Sequence, residues 1–244
     1  MNTTHQSSGH EHGCRIVVDT CSDIAPQVAG VLEVDILGFP YILDGVEYTD
    51  DIWTSISPKE FYDKLRDGAH ATTSAVSLGR YLEFFNQCAE EGTPTVYLCF
   101  TSALSSSYNS AVNAAEQVRR EHPDFELYVV DNSLPCSCGE LLAIEAVRQR
   151  AAGLSAKVSW RSGRMRRRRA FTDIYAGQPR CPRCGGRIPP AAAQLSSKLD
   201  IKPELSFDLS GSLTLLGVNR GRKKALKSLV KSLRKITSKT PSCP

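Results

Sequence analysis

The sequence predicts an α/β fold, with a parallel sheet in the N-terminal half and a smaller α/β part behind it. Three observations carry that expectation. From Cys14 to about Ala152, short β-branched runs alternate with helix-length amphipathic stretches, the grammar of strand–helix units that build parallel sheets. Each strand-like run ends in polar residues that lead into a helix start. After a break, two further strand-like runs and one amphipathic stretch return between Ile201 and Ile236.

The elements follow in order. Residues 14–20 are a short apolar run of buried-strand length and β-branching, and residues 34–48 read as a second extended region broken by Gly38, Pro40 and Asp44-Gly45. Ser57-Pro-Lys-Glu60 is a capping box with proline at the first helical position, which predicts a helix over 58–67. Gly68 stops it. Thr72 to Ser77 precede an amphipathic helix over 78–91, and 95–100 form a second buried strand. That strand runs into Thr101 to Ser107 and a helix through about Arg120. A third strand over 126–131 leads to a helix over 138–152. Farther on, 188–199 can form a helix, 201–207 and 213–218 form a hairpin turning at 208–211, and 223–236 form an amphipathic helix with lysines opposite its apolar face.

Composition bounds the rest. The 244 residues, 41% hydrophobic and 23% charged, suit one large domain or two modest ones. No apolar run is long enough to span a membrane. The polar first thirteen residues, with His5, His10 and His12, lack the apolar stretch of a secretory signal and read as a disordered tail. Nine cysteines form no disulfide ladder, and Cys14, Cys21, Cys88 and Cys99 lie in or beside apolar segments. A reduced, cytoplasmic setting is the expectation. Charge is uneven: residues 1–156 carry 9 Lys/Arg against 22 Asp/Glu, residues 157–184 carry 9 against 1, and residues 185–244 carry 12 against 3. The basic half suits nucleic acid, an acidic surface or an acidic protein partner.

Two hydroxyl clusters carry the chemistry. Thr73-Ser74 and Ser102 to Ser107 each stand just before a helix, and the second follows a buried strand. A helix start offers unpaired N–H groups and the positive end of the dipole, which favour a carboxylate or phosphate. Loops after strand C-termini also line the ligand crevice of an open α/β sheet. Two such loops together would make a neutral pocket for one anionic head group. The plainer reading is that Ser and Thr are simply the preferred helix N-caps. There is no Walker-type glycine loop or kinase signature, and no Gly-x-Ser-x-Gly elbow. Outside the tail, only His70 and His122 could act as a base.

Seven stretches together resemble the DegV family, in family order. Val17-Val18-Asp19-Thr20-Cys21-Ser22-Asp23 is similar to its opening strand and D-S-x-x-D-type loop. Thr73-Ser74-Ala75-Val76-Ser77 resembles its T-S-Q-P-S segment, with Ala75-Val76 for Gln-Pro. Ser102 to Ala111 resembles S-S-x-L-S-G-T-Y-x-S-A, with Ser106-Ser107 for Gly-Thr. Val130 to Ser133 loosely matches a V-D-S strand end, Gly185 to Ile188 and Asp200 to Pro203 match G-G-R-I and N-I-K-P, and Asn219 to Leu226 matches an R-x-R-K-K-A-L run. The resemblance implies a two-domain fold with a Rossmann-like parallel sheet, and a non-enzymatic carrier that binds a fatty acid without a cofactor. It implies that the carboxylate is held by Thr73, Ser74, Ser102 and Ser105. Arg187, in the G-G-R-I stretch, is a candidate head-group or partner contact. Some family members hand the acid to a separate kinase, for which the basic stretch from Arg220 to Lys224 is a candidate docking face. Family members usually continue into a histidine- and glycine-containing segment, whereas this sequence ends at Pro244.

Residues 157–184 fit neither pattern. They hold eight arginines, four of them consecutive at 166–169, and the family resemblance vanishes there and resumes at Gly185. Cys181-Pro-Arg-Cys184-Gly is a zinc-knuckle-like turn without a second ligand pair. The arginine run could touch phosphates, but aromatic interleaving for base stacking is nearly absent. A compensated frame slip is the other reading. The expected organisation is a tail (1–13), a head-group-binding α/β domain (14–155), an atypical arginine-rich segment (156–184) and an incomplete C-terminal domain (185–244). A basic nucleic-acid-binding protein and a damaged, non-binding DegV relative are the alternatives.

Overall fold

A computed structural model describes residues 13–133, 137–157, 174–175, 200–208 and 210–237. The tail, the arginine run, Cys181, Cys184, Arg187 and the helix expected over 188–199 lie outside these residues. The chain divides into two compact units, residues 1–168 and 169–244.

The first unit is built on a four-stranded parallel sheet of order β2-β1-β6-β7, with β1 Arg15–Asp19, β2 Asp35–Leu37, β6 Thr95–Cys99 and β7 Leu127–Asp131. Every residue of β1 and β6 is buried, as a sheet covered on both faces requires. Successive side chains point to opposite faces. Ile16, Val18, Val96 and Leu98 therefore pack with Leu142, Ala143 and Ala146 of helix α5 (Ser137–Ala151) and with Ala29 of helix α1 (Pro26–Leu32). Val17, Tyr97 and Cys99 face the other way. They meet Tyr81, Phe84, Phe85 and Cys88 of α3 (Leu78–Glu90), and Ala111, Ala114, Ala115 and Val118 of α4 (Ser107–Glu121). The result is the three-layer arrangement expected of strand–helix units.

Helix boundaries follow their capping residues. Ser57 accepts from Glu60 N, and Pro58 opens α2 (Pro58–Arg66). Ser77 accepts from Arg80 N to open α3. The expected extended region over 34–48 is instead three strands in two sheets. β2 joins the parallel sheet. β3 (Pro40–Leu43) and β4 (Val46–Thr49) form a hairpin that, with β5 (Ala71–Thr73), makes a separate antiparallel sheet of order β4-β3-β5. Gly38 permits the switch: a Cβ there would lie 2.4 Å from Asp50 O and 2.5 Å from Thr49 Cγ2. Asp44 and Gly45, at φ 50° and 83°, close the hairpin. Helix α1 was not expected from the sequence, because it is short and its only start signal is Pro26.

The second unit contains an antiparallel sheet of β8 (Ile174–Tyr175), β9 (Ile201–Phe207) and β10 (Leu213–Arg220), with helix α6 (Arg222–Thr237) against it. The predicted hairpin and basic helix are both present. Buried Glu204 accepts hydrogen bonds from Asn219 Nδ2 at 3.2 Å, Ser228 Oγ at 2.7 Å and Ser232 Oγ at 3.3 Å, fixing α6 to the sheet. The opposite face of α6 exposes Leu226 and Val230 between Lys223, Lys227, Lys231 and Arg234. Among the described residues, no helix is long and apolar enough to cross a membrane.

Candidate functional site

In a sheet of order β2-β1-β6-β7 the direction of strand addition reverses between β1 and β6, and the loops leaving those strands diverge to opposite faces. Asp19 closes β1 at this point. Its carboxylate is 1% exposed and accepts from Phe100 N at 2.6 Å, Cys21 N at 3.1 Å and Tyr97 Oη at 3.3 Å. Tyr97 in turn shares a 3.1 Å hydrogen bond with Tyr81 of α3. Thr20 Oγ1 accepts from Phe39 N at 3.1 Å, tying the same turn to the end of β2.

From Phe100 the chain makes a tight turn, with Leu104 N and Ser105 N donating to Thr101 O, and enters α4. Within that turn Ser105 Oγ donates to Ser107 Oγ at 2.8 Å and accepts from Ser107 N at 3.2 Å. Ser107 is fully buried, and its hydroxyl oxygen also accepts from Val76 N at 3.1 Å. This last bond joins the two hydroxyl clusters, because Val76 lies three residues beyond Thr73 on the way into α3. Thr73 ends β5, paired with Tyr41, and Ser74 N donates to Pro40 O. Both side chains are exposed, and neither hydroxyl has a hydrogen-bond partner among the described residues.

At the start of α4, Ser107 N is already taken by Ser105 Oγ. Ser106 occupies its N-cap without a side-chain cap. Its φ of −71° and ψ of −4° are ordinary right-handed values, so serine stands without strain where the resembling family has glycine. Ser102 is placed differently from its neighbours. Its hydroxyl donates to Asp131 Oδ2, its N–H lies 3.4 Å from Asp131 Oδ1, and Ser133 N donates to the same carboxylate at 2.9 Å. His70 lies at the opposite end of β5 from Thr73, and His122 caps the C-terminus of α4. The bond between Val76 and Ser107 and the strand-end network therefore contain neither histidine.

Electrostatics divide the site. Burial pushes the Asp19 carboxyl up to about 7, against the downward pull of its Phe100, Tyr97 and Cys21 donors. Burial likewise raises the Tyr97 and Tyr81 phenols and the Cys99 thiol, with Asp19 adding to each. Asp50 is raised first by burial, partly offset by bonds from Ile52 N–H and the Thr20 hydroxyl. Acid groups therefore line the floor of the strand ends, while the exposed lip at Thr73 and Ser74 carries neutral hydroxyls.

Sequence reasoning missed the network beneath the loops. Asp19 was visible only as part of a resembling loop, although an acid ending an apolar strand signals a buried acceptor. Tyr97 carried a clue too, since a tyrosine inside an apolar strand needs a partner for its hydroxyl. Ser107 stood in a hydroxyl cluster and Asp131 at a strand end, but their partners had no local signal, because each acts on a residue about thirty positions away.

Residues 14–243 match the model described as "Uncharacterised protein, DegV family". A DegV domain-containing protein of Clostridium perfringens is 34% identical over 224 residues, covering 90% of this chain and 76% of the relative. Among solved structures, a stearic acid-binding protein from Eubacterium ventriosum superposes with TM-score 0.80 at 27% identity, covering 91% of this chain and 76% of that one. A fatty-acid-binding DegV family protein from Thermus thermophilus gives TM-score 0.75 at 27% identity, covering 91% and 77%. The match along nearly the whole chain places this protein in the DegV family.

Proposed function

We infer that this protein binds a long-chain fatty acid and holds its carboxylate at the joined starts of α3 and α4. The bond from Val76 N to Ser107 Oγ carries the reading, because it draws the Thr73–Ser74 and Ser105–Ser107 turns together around two helix N-termini. Its similarity to stearic-acid-binding and fatty-acid-binding structures supports the same ligand class. Thr73 and Ser74 are the proposed carboxylate donors, and Ser105 joins them by turning its hydroxyl from Ser107 Oγ to the carboxylate. Ser102, turned onto Asp131, serves by bracing the loop. Neutral donors suit a carboxylate that must also leave.

The acid is then presented to a separate kinase, whose acidic surface meets the exposed basic residues Arg220, Arg222, Lys223 and Lys224. Arg187 belongs to this proposal as a head-group or partner contact. The carrier itself performs no chemistry in this reading.

Thermal unfolding with and without stearic acid tests the binding step. A ligand that binds only the native state raises the midpoint, by about 2.7 kcal/mol of stability at a hundredfold excess over Kd. An unmoved midpoint, together with no acid retained in native mass spectrometry, would reject the carrier assignment.

A further inference from the structure

Asp19 lies beneath the proposed head-group site rather than in it. It is buried and engages backbone and phenol groups, so it does not reach a ligand. Yet it closes a circuit through both hydroxyl-bearing loops. From its carboxylate the path runs to Phe100 N, along the Thr101–Ser107 turn, and across Ser107 Oγ to Val76 N. It continues through α3 to Tyr81, across to Tyr97, and back to Asp19. No cation takes part. The titratable groups facing the carboxylate are Tyr97 and Cys99 of β6, Tyr81 of α3 and Cys21 of the adjoining turn. Helix α5 packs over that turn with Gly139 against Ser22, and the acid of its first turn is Glu140.

We propose that Asp19 is the positioning residue of the fatty-acid head-group site, setting the reach of the β6–α4 loop through Phe100 N–H and of the α3 start through Tyr97 and Tyr81. The proposal rests on the fatty-acid reading above. The chemistry at residue 19 is restrictive, because both carboxylate oxygens accept from a backbone N–H, one from Cys21 and the other from Phe100. An asparagine must turn its NH2 toward one of those donors, whichever way it flips. The loop must then shift or leave a buried N–H unpaired.

The test compares wild type, Asp19→Asn and Tyr97→Phe for affinity toward stearic acid and toward stearyl alcohol, which shares the chain but lacks the carboxylate. Asp19→Asn is expected to weaken the acid about tenfold, the equivalent of one charge-assisted hydrogen bond, and to leave the alcohol within about twofold. Tyr97→Phe keeps both backbone bonds and loses one phenol donor, so the acid is expected to weaken only about threefold. The Phe100 amide proton, deshielded by its short bond to the carboxylate, should move upfield in Asp19→Asn. Equal weakening of acid and alcohol in both variants marks a general structural role and overturns the proposal. So does unchanged acid affinity in Asp19→Asn with the Phe100 amide shifted. If wild type itself binds no stearic acid, the fatty-acid reading fails and this proposal falls with it.

Discussion

At the start of β1, Arg15 is buried with its guanidinium paired to Asp35 at 2.9 Å, to Glu91, and to Cys88 Sγ at 3.0 Å. At the end of the same five-residue strand, Asp19 is buried more deeply still, and among the described residues its hydrogen-bond donors are all neutral. Both ends satisfy their hydrogen bonds, but only the first is neutralised. A paired charge locks β1 to β2 and α3 at the end where the strands begin. A carboxylate held, among the described residues, by neutral donors alone lies at the end where the hydroxyl-bearing loops begin. Perturbed charges tend to collect at functional ends of a sheet, and this strand carries a paired charge at one end and a carboxylate held by neutral donors at the other.

The contrast can be broken or sharpened by substitution. The largest expected effect is on the pH dependence of stability. Asp19 has a folded pKa of about 7 against an ordinary value of 3.8. Between those values the native state holds a proton the unfolded chain has lost, so stability falls as pH rises from about 4 to about 7. The contribution reaches about 4 kcal/mol at most. Asp19→Asn should remove that slope, as read from urea midpoints at several pH values. An unchanged slope would mean the buried carboxylate does not titrate in this window.

Next comes the other end of the strand. Arg15→Met takes their shared cation from the partly exposed Asp35 and Glu91 and should destabilise the protein by about 2 kcal/mol in urea unfolding. Because Arg15 lies at the far end of β1, stearic acid affinity should stay within about twofold of wild type. A marked loss of affinity would show that the two ends are coupled. Thr73→Val then tests the exposed lip. Removing one carboxylate donor should weaken stearic acid by about 2 kcal/mol in calorimetry, with little change in stability. The smallest effect is expected at Ser106. Its φ is already negative, so glycine relieves nothing, and Ser106→Gly should cost less than about 1 kcal/mol of stability. A gain in stability would show that the position prefers glycine after all.

Much of the architecture was legible because it is local. Pro58 and Ser57 announce α2, Ser77 announces α3, and the β-branched runs of β1, β6 and β7 announce a buried sheet. The paired hydroxyl loops were also visible, since each stands directly before a helix. The split of residues 34–48 between two sheets was not, because it depends on Asp50 passing against Gly38. Ser102 looked equivalent to Ser105 in sequence, yet Asp131 from the next strand draws it away.

The amino-acid order alone determined most of the strands and helices and which loops carry hydroxyls, because periodicity and capping act over a few residues. Only the folded chain decided that Ser107 meets Val76, that Ser102 meets Asp131, and that Asp19 supports the β6–α4 loop from below. Those contacts join residues about 30 to 80 positions apart. Only packing can bring such groups within hydrogen-bond reach, because no local pattern encodes their distance.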